Sequence, residues 1–181
     1  MKASVNLTPS EKTTPSIEKR KVPIRKSNQA YRSREYLTES EVLKLMEAAT
    51  SLGRHGLRDA TLILIAYRHG LRVSELVSLR WEQFDLKQGL LHVNRRKRGI
   101  PSVHPVRGPE LRALRRLLRE YPNNAYVFVS ERKAPLTVDT VRKMISRAGV
   151  EAGIEFPVHP HMLRHATGYK LANDEQDTRA I

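Results

Sequence analysis

The chain has 181 residues, 39% hydrophobic and 29% charged, which is long enough for one packed domain with a tail. Its 33 Lys and Arg against 19 Asp and Glu give a net charge of +14. That excess points to a polyanionic partner, nucleic acid before a membrane surface, because no basic amphipathic helix with an aromatic apolar face stands out. No apolar run approaches the ~20 residues that span a bilayer. Met1-Lys2-Ala3-Ser4 opens no apolar leader, and the absence of cysteine excludes disulfides and thiolate metal sites, so a cytoplasmic protein is expected.

Residues 1–35 are rich in Ser, Thr, Pro, Lys and Arg, and residues 1–36 hold nine basic and three acidic side chains. Without a sustained apolar period they read as a disordered basic arm, either a solvated tail or a strand of charge lying along DNA phosphates. Order is expected from Tyr36 onward. Thr38-Glu39-Ser40-Glu41 is a capping box opening a helix to about Ser51. A second helix, Leu57 to His69, is apolar nearly all round between Ala60 and Ala66, which marks a central core helix ended by Gly70. Leu71 to Leu79 predicts a short helix with Arg72 in its first turn and Glu75 one turn on.

Trp81 and Phe84 anchor the next loop, and Leu90–Val93 and Ser102–Val106 read as strands. Between the strands lies the basic tip Asn94-Arg95-Arg96-Lys97-Arg98-Gly99. Pro109 to Glu120 predicts a helix apolar at Leu111, Leu114, Leu117 and Leu118, with Arg112, Arg115, Arg116 and Arg119 opposite. Val127-Phe128-Val129 reads as a short strand, and Thr137 caps a helix to about Ala148. The loop from Gly149 to Pro157 leads into His159-Pro160-His161-Met162-Leu163-Arg164-His165, whose helical pattern runs on to Ala172. Asp177 or Thr178 looks like the N-cap of a further helix. The fold class expected is mainly α with a small antiparallel β-sheet.

His161, Arg164 and His165 stand at i, i+3 and i+4 and share a helix face, which suits a phosphate or a metal. The His161/His165 spacing matches the zinc pair of a metalloprotease helix, but that motif needs Glu after the first His, where Met162 stands. The adjacent arginine cation also opposes zinc, so neither metal nor cofactor is expected. A phosphodiester target suits the composition better. Transfer at phosphorus gathers charge on the non-bridging oxygens, which two guanidinium forks, Arg72 and Arg164, would clamp. Lys97 could then protonate the leaving oxygen, His161 could act as base and Glu75 could orient the site. Arg95, Arg96 and Arg98 make the hairpin a DNA-facing surface, and His165 is either a packed histidine or a further DNA contact.

These residues resemble the tyrosine recombinases of the phage integrase family. Gly70-Leu71-Arg72-Val73-Ser74-Glu75-Leu76 is similar to that family's first arginine motif, and His161-Met162-Leu163-Arg164-His165 to its His-x-x-Arg motif. The wider His159–His165 stretch resembles the small fimbrial phase-switch type, and Lys97, eight residues before Pro105, falls where the family keeps a hairpin lysine. The resemblance runs from Tyr36 to Ile181 and implies a recombinase catalytic domain over 36–181, acting on double-stranded DNA without metal. It implies attack by a tyrosine to leave a 3′-phosphotyrosine link, and four protomers assembled on two DNA sites.

The chain departs from the pattern in lacking a Leu-Gly-His segment followed by a tyrosine. Tyr31, Tyr36, Tyr67, Tyr121, Tyr126 and Tyr169 all lie outside that context. Tyr169, five residues past Arg164, falls about 140° round the helix from it. The expectation is therefore a domain incomplete at its C-terminus and inactive by itself, with tetramer assembly in doubt. The rival is a non-catalytic DNA-binding protein, or a regulatory or remnant fragment of a recombinase.

Overall fold

The computed structural model describes residues 34–93 and 101–174. Residues 1–33 of the basic arm, the hairpin tip with Arg95, Arg96, Lys97 and Arg98, and the N-cap expected at Asp177 or Thr178 lie outside the described residues, whereas Arg34, at the end of the arm, pairs with Glu41. The first helix, α1 (Glu39–Ser51), begins where the sequence predicts. The Thr38 hydroxyl accepts from the Glu41 amide at 3.3 Å and the Glu41 carboxylate accepts from the Thr38 amide at 2.8 Å. Val42, Leu45, Ala48 and Ala49 form its buried face.

Helix α2 (Gly56–His69) is the axis of the molecule, packing against α1 and against the later helices α4 (Gly108–Glu120) and α6 (Pro160–Asn173). Covered on several sides, it buries Leu62, Ile63, Ile65 and Ala66 almost completely. Each such aliphatic side chain contributes on the order of 1.5–3 kcal/mol. Gly70 stops the helix in the left-handed region, at φ 58°, where a Cβ would be strained.

Helix α3 is only Val73–Leu76, shorter than the predicted Leu71–Leu79. Arg72 stays extended as its N-cap because the Glu75 carboxylate takes the Arg72 amide, which fixes the start at Val73, two residues later than expected. At the other end, the Ser78 hydroxyl bonds back to the Ser74 and Glu75 carbonyls, competing with a continued helical ladder.

A 3₁₀ turn (Trp81–Gln83) leads into a three-stranded antiparallel sheet of order β1 (Phe84–Asp85), β2 (Leu90–Val93) and β3 (Ser102–Pro105). Phe84 pairs with Leu91, and Val93 with Ser102. The third strand is therefore Phe84–Asp85, and Val127–Val129 is not a strand. That segment makes isolated backbone bonds to Leu79 and Leu136 as it threads the core. All three of its side chains are buried, so its apolar run records burial and not a period of two.

In α4, Leu114 and Leu117 are fully buried, but Leu118 lies at the rim and is 37% exposed, contrary to the expectation of an inward leucine. Helix α5 (Val138–Glu151), capped by Thr137, extends three residues beyond Ala148. Gly149 lies inside it, packed so closely on Val158 that an added Cβ would meet that side chain at 2.6 Å. Helix α6 docks on α2 through Met162, Leu163 and Ala166, and the Thr167 hydroxyl donates to the Tyr67 carbonyl. Among the described residues no helix is long and apolar enough to cross a membrane.

Candidate active site

The site forms where the C-terminal end of α2 meets the N-terminal end of α6. Helix ends expose carbonyls that lack intrahelical partners, and here one of them is used. The Arg164 guanidinium donates from Nη1 to the Gly70 carbonyl, tying the fifth residue of α6 to the residue two before Arg72. Arg72 projects from the break between α2 and α3. Its Nη1 lies 3.2 Å from Glu75 Oε1, while the other carboxylate oxygen accepts the Arg72 amide at 2.8 Å. One buried carboxylate thus caps the helix and steadies the guanidinium, whose side chain remains 40% exposed.

His161 connects the two arginines electrostatically. Although the residue is largely exposed, its partial burial depresses the imidazole below its ordinary value of 6.5, and the charges of His165, Arg164 and Arg72 press it further down. Glu35 opposes them. The His161 and His165 rings meet edge to face, with centroids 4.6 Å apart. Proline at the first position of α6 presets the helix start, whose dipole adds partial positive charge to this corner.

The root of the basic hairpin stands beside the same corner. His104 on β3 lies 5.4 Å, ring to ring, from His69 at the end of α2, and His69 Nε2 lies 2.8 Å from Glu110 Oε1 on α4. Lys97, Arg95, Arg96 and Arg98 themselves fall outside the described residues. Of the predicted constellation, the structure brings together Arg72, Glu75, His161, Arg164 and His165.

Sequence reasoning missed the groove beside Arg164. About 550 Å³ in volume, it is bordered by Glu35, Tyr36, Arg164, His165 and Tyr169. Tyr36 and Tyr169 stack there with ring centroids 4.3 Å apart and planes inclined by 16°. Tyr169 thus borders the same groove as Arg164 even though the helical wheel separates them. Its aromatic partner lies 133 positions earlier in the chain, and no local pattern announces it. The other described tyrosines are engaged elsewhere. Tyr67 is in the core, Tyr121 bonds to His55 at 2.7 Å, and Tyr126 to Arg80 at 3.3 Å.

A mainly helical domain with a three-stranded antiparallel sheet is the fold shared with the catalytic domains of tyrosine recombinases. The chain belongs to the phage integrase family, whose pattern matches residues 35–181. The type 1 fimbriae regulatory protein FimE of Escherichia coli K12 is 43% identical over 154 residues, which cover 82% of this chain and 77% of that protein. The crystal structure of XerA recombinase superposes with a TM-score of 0.69 at 30% identity, covering 80% of this chain and 53% of that one. Lambda integrase (residues 75–356) bound to DNA superposes at 0.65 with 25% identity, covering 81% and 54%. The chain spans about half the length of these solved recombinases.

Proposed function

We propose that this chain carries the phosphate-binding half of a site-specific DNA recombinase. In this reading the scissile phosphate of duplex DNA sits between Arg72 and Arg164, and Glu75 holds Arg72 toward it. A tyrosine hydroxyl attacks phosphorus, the bond to the 5′-oxygen breaks, and the strand remains joined through a 3′-phosphotyrosine ester. The hydroxyl proton passes to a base, in this reading His161, whose imidazole is depressed from its ordinary value by partial burial and the neighbouring positive charges. A second proton must reach the departing 5′-oxygen, and Lys97 on the hairpin is its source. Arg95, Arg96, Arg98 and His165 contact the surrounding backbone. No step calls for a metal or cofactor. Strand exchange between two duplexes needs several protomers, and this chain would take one place in such an assembly.

The observation that carries the reading is the meeting of Arg164, Gly70 and Arg72 beside His161. Because each described tyrosine is stacked, bonded or buried, residues 1–181 by themselves are proposed to bind duplex without joining to it.

The test uses duplexes selected for binding and nicked beside the target phosphate, so that a covalent adduct accumulates. Residues 1–174 joined to the C-terminal remainder of FimE should form the adduct. Arg72→Ala or Arg164→Ala should each reduce its rate by about 10²–10³, the usual loss for a donor to a developing oxyanion. An undiminished rate in either variant overturns the assignment. An adduct formed by residues 1–181 alone, and abolished by Tyr169→Phe, would move the nucleophile to Tyr169.

A further inference from the structure

Helix α4 carries a feature that the phosphate site does not use. At about 100° per residue, Arg112, Arg115, Arg116 and Arg119 fall within one arc of about 100°, centred opposite the buried pair Leu114 and Leu117. All four are exposed, and among the described residues none of them forms an ion pair. Arg115 does donate to the Leu86 carbonyl at 2.8 Å, which fixes its stem against the turn between β1 and β2.

The spacing places like charges as helical neighbours four times over: 112 with 115 and 116, and 119 with 115 and 116. Each such pair works against the helix. Of the acids of α4, Glu110 is buried against His69, which leaves Glu120, one turn after Arg116, as the single carboxylate of α4 near the four arginines. Helix α5 shows the ordinary arrangement, with Lys143 bridged to Asp139 one turn away at 2.8 Å. A face of like charges that repels itself is relieved when a polyanion lies on it.

We infer that the α4 stripe is a second DNA-contact surface, apart from the arginine site, which takes the backbone of duplex flanking the reacting phosphate. The inference rests on the DNA reading above. The stripe begins beside the site, because Glu110, two residues before Arg112, meets His69 at the catalytic end of α2. From Arg112 to Arg119 it then leads away over about 10 Å, at 1.5 Å per residue. Duplex DNA presents a charge about every 1.7 Å of its axis, so a stripe of this length faces several phosphates.

The experiment compares two duplexes, a short one covering only the bound site and one extended by two helical turns on each side. The wild-type chain is compared with the fourfold Arg→Gln variant of 112, 115, 116 and 119, and with the matching Arg→Lys variant. The Gln variant should lose the affinity advantage of the extended duplex. Its slope of log K against log salt on that duplex should fall by about 3–4, near 0.9 per phosphate contact. Binding to the short duplex should be unchanged, and the Lys variant should keep the wild-type slope.

An unchanged slope on the extended duplex makes the stripe a solvated face and overturns the inference. Equal losses on both duplexes also overturn it, by denying a flanking site. Circular dichroism checks the fold, and the double variants 112/116 and 115/119, each expected to give half the effect, stand in if the fourfold variant unfolds. Arg72→Ala on the short duplex reports separately on the phosphate site, so the two readings can fail independently.

Discussion

Two arginines stand at opposite ends of α2, roughly 20 Å apart at 1.5 Å per residue, and the contrast between them separates a cation whose donors the fold uses from one proposed to hold an anion. Arg58 is buried, and its donors are used internally. Nε and Nη2 both reach Asp59 Oδ1 at 2.8 Å, and Nη1 reaches the Val129 carbonyl at 2.9 Å. Arg72, at the other end, holds a single carboxylate at 3.2 Å and keeps its side chain 40% exposed. The same residue type is enclosed by the fold at one end and half exposed at the other. Total basic charge hides this difference, whereas the partner of each fork reveals it.

The largest effect expected is at the closed end. Arg58→Ala leaves the Asp59 carboxylate buried without its cation, and breaking a buried pair costs about 3–5 kcal/mol. Burial already pushes the Asp59 carboxyl above its ordinary range, with Arg58 as the first influence holding it down. A carboxyl raised in the folded state favours folding when protonated, so its contribution is lost as pH rises through the folded value. The Arg58→Ala deficit, read by chemical denaturation, should therefore widen from pH 4 to pH 7. A deficit constant over that range would show that Asp59 finds another partner.

Next in size is a change that links packing to the site. Gly149→Ala places a Cβ against Val158 on the segment that leads into His159 and α6. Overpacking of this kind costs about 1–3 kcal/mol, and here it should also weaken DNA binding, because relief requires α6 to shift. A variant that loses stability while binding DNA normally would separate the 158 segment from the site. Smaller again is the stability cost of Arg72→Ala, expected at about 1 kcal/mol or less because its ion pair is half exposed. The same variant should nearly abolish adduct formation, and that disparity is the sharpest form of the comparison with Arg58.

What the sequence made legible follows the range of the interaction. The Thr38 cap, the Gly70 stop, the arginine face of α4 and the shared face of His161, Arg164 and His165 all rest on spacings of one to four residues. The apolar run in α2 announced a central helix because burial on several sides leaves that mark directly. Failures came where two physical causes write the same pattern. Val127–Val129 is apolar because it is buried, and burial alone does not distinguish a strand from a threaded coil. The early stop of α3 came from serine hydroxyls that favour the backbone over solvent, a competition invisible to propensity. At the site, motif spacing named the arginines, but the Gly70 carbonyl that accepts from Arg164 and the Tyr36–Tyr169 stack beside Arg164 depend on distant docking.

The smallest effect expected concerns His161, and it tests whether the open end is built for an anion. Its depressed value reflects partial burial and then the cations around it, with Glu35 alone pulling the other way. Protonation adds positive charge, so removing a neighbouring cation raises the value and removing a neighbouring carboxylate lowers it further. His165→Asn should move the His161 titration up toward 6.5, and Glu35→Gln should move it down, both read from the ring carbon resonance by NMR. Inorganic phosphate held between Arg72 and Arg164 would offset their charge and raise the value in the wild-type chain, but not in Arg164→Ala. A His161 resonance that titrates identically with and without phosphate would mean that the imidazole does not sense an anion held by the arginines, and His161 would lose its claim to the proton.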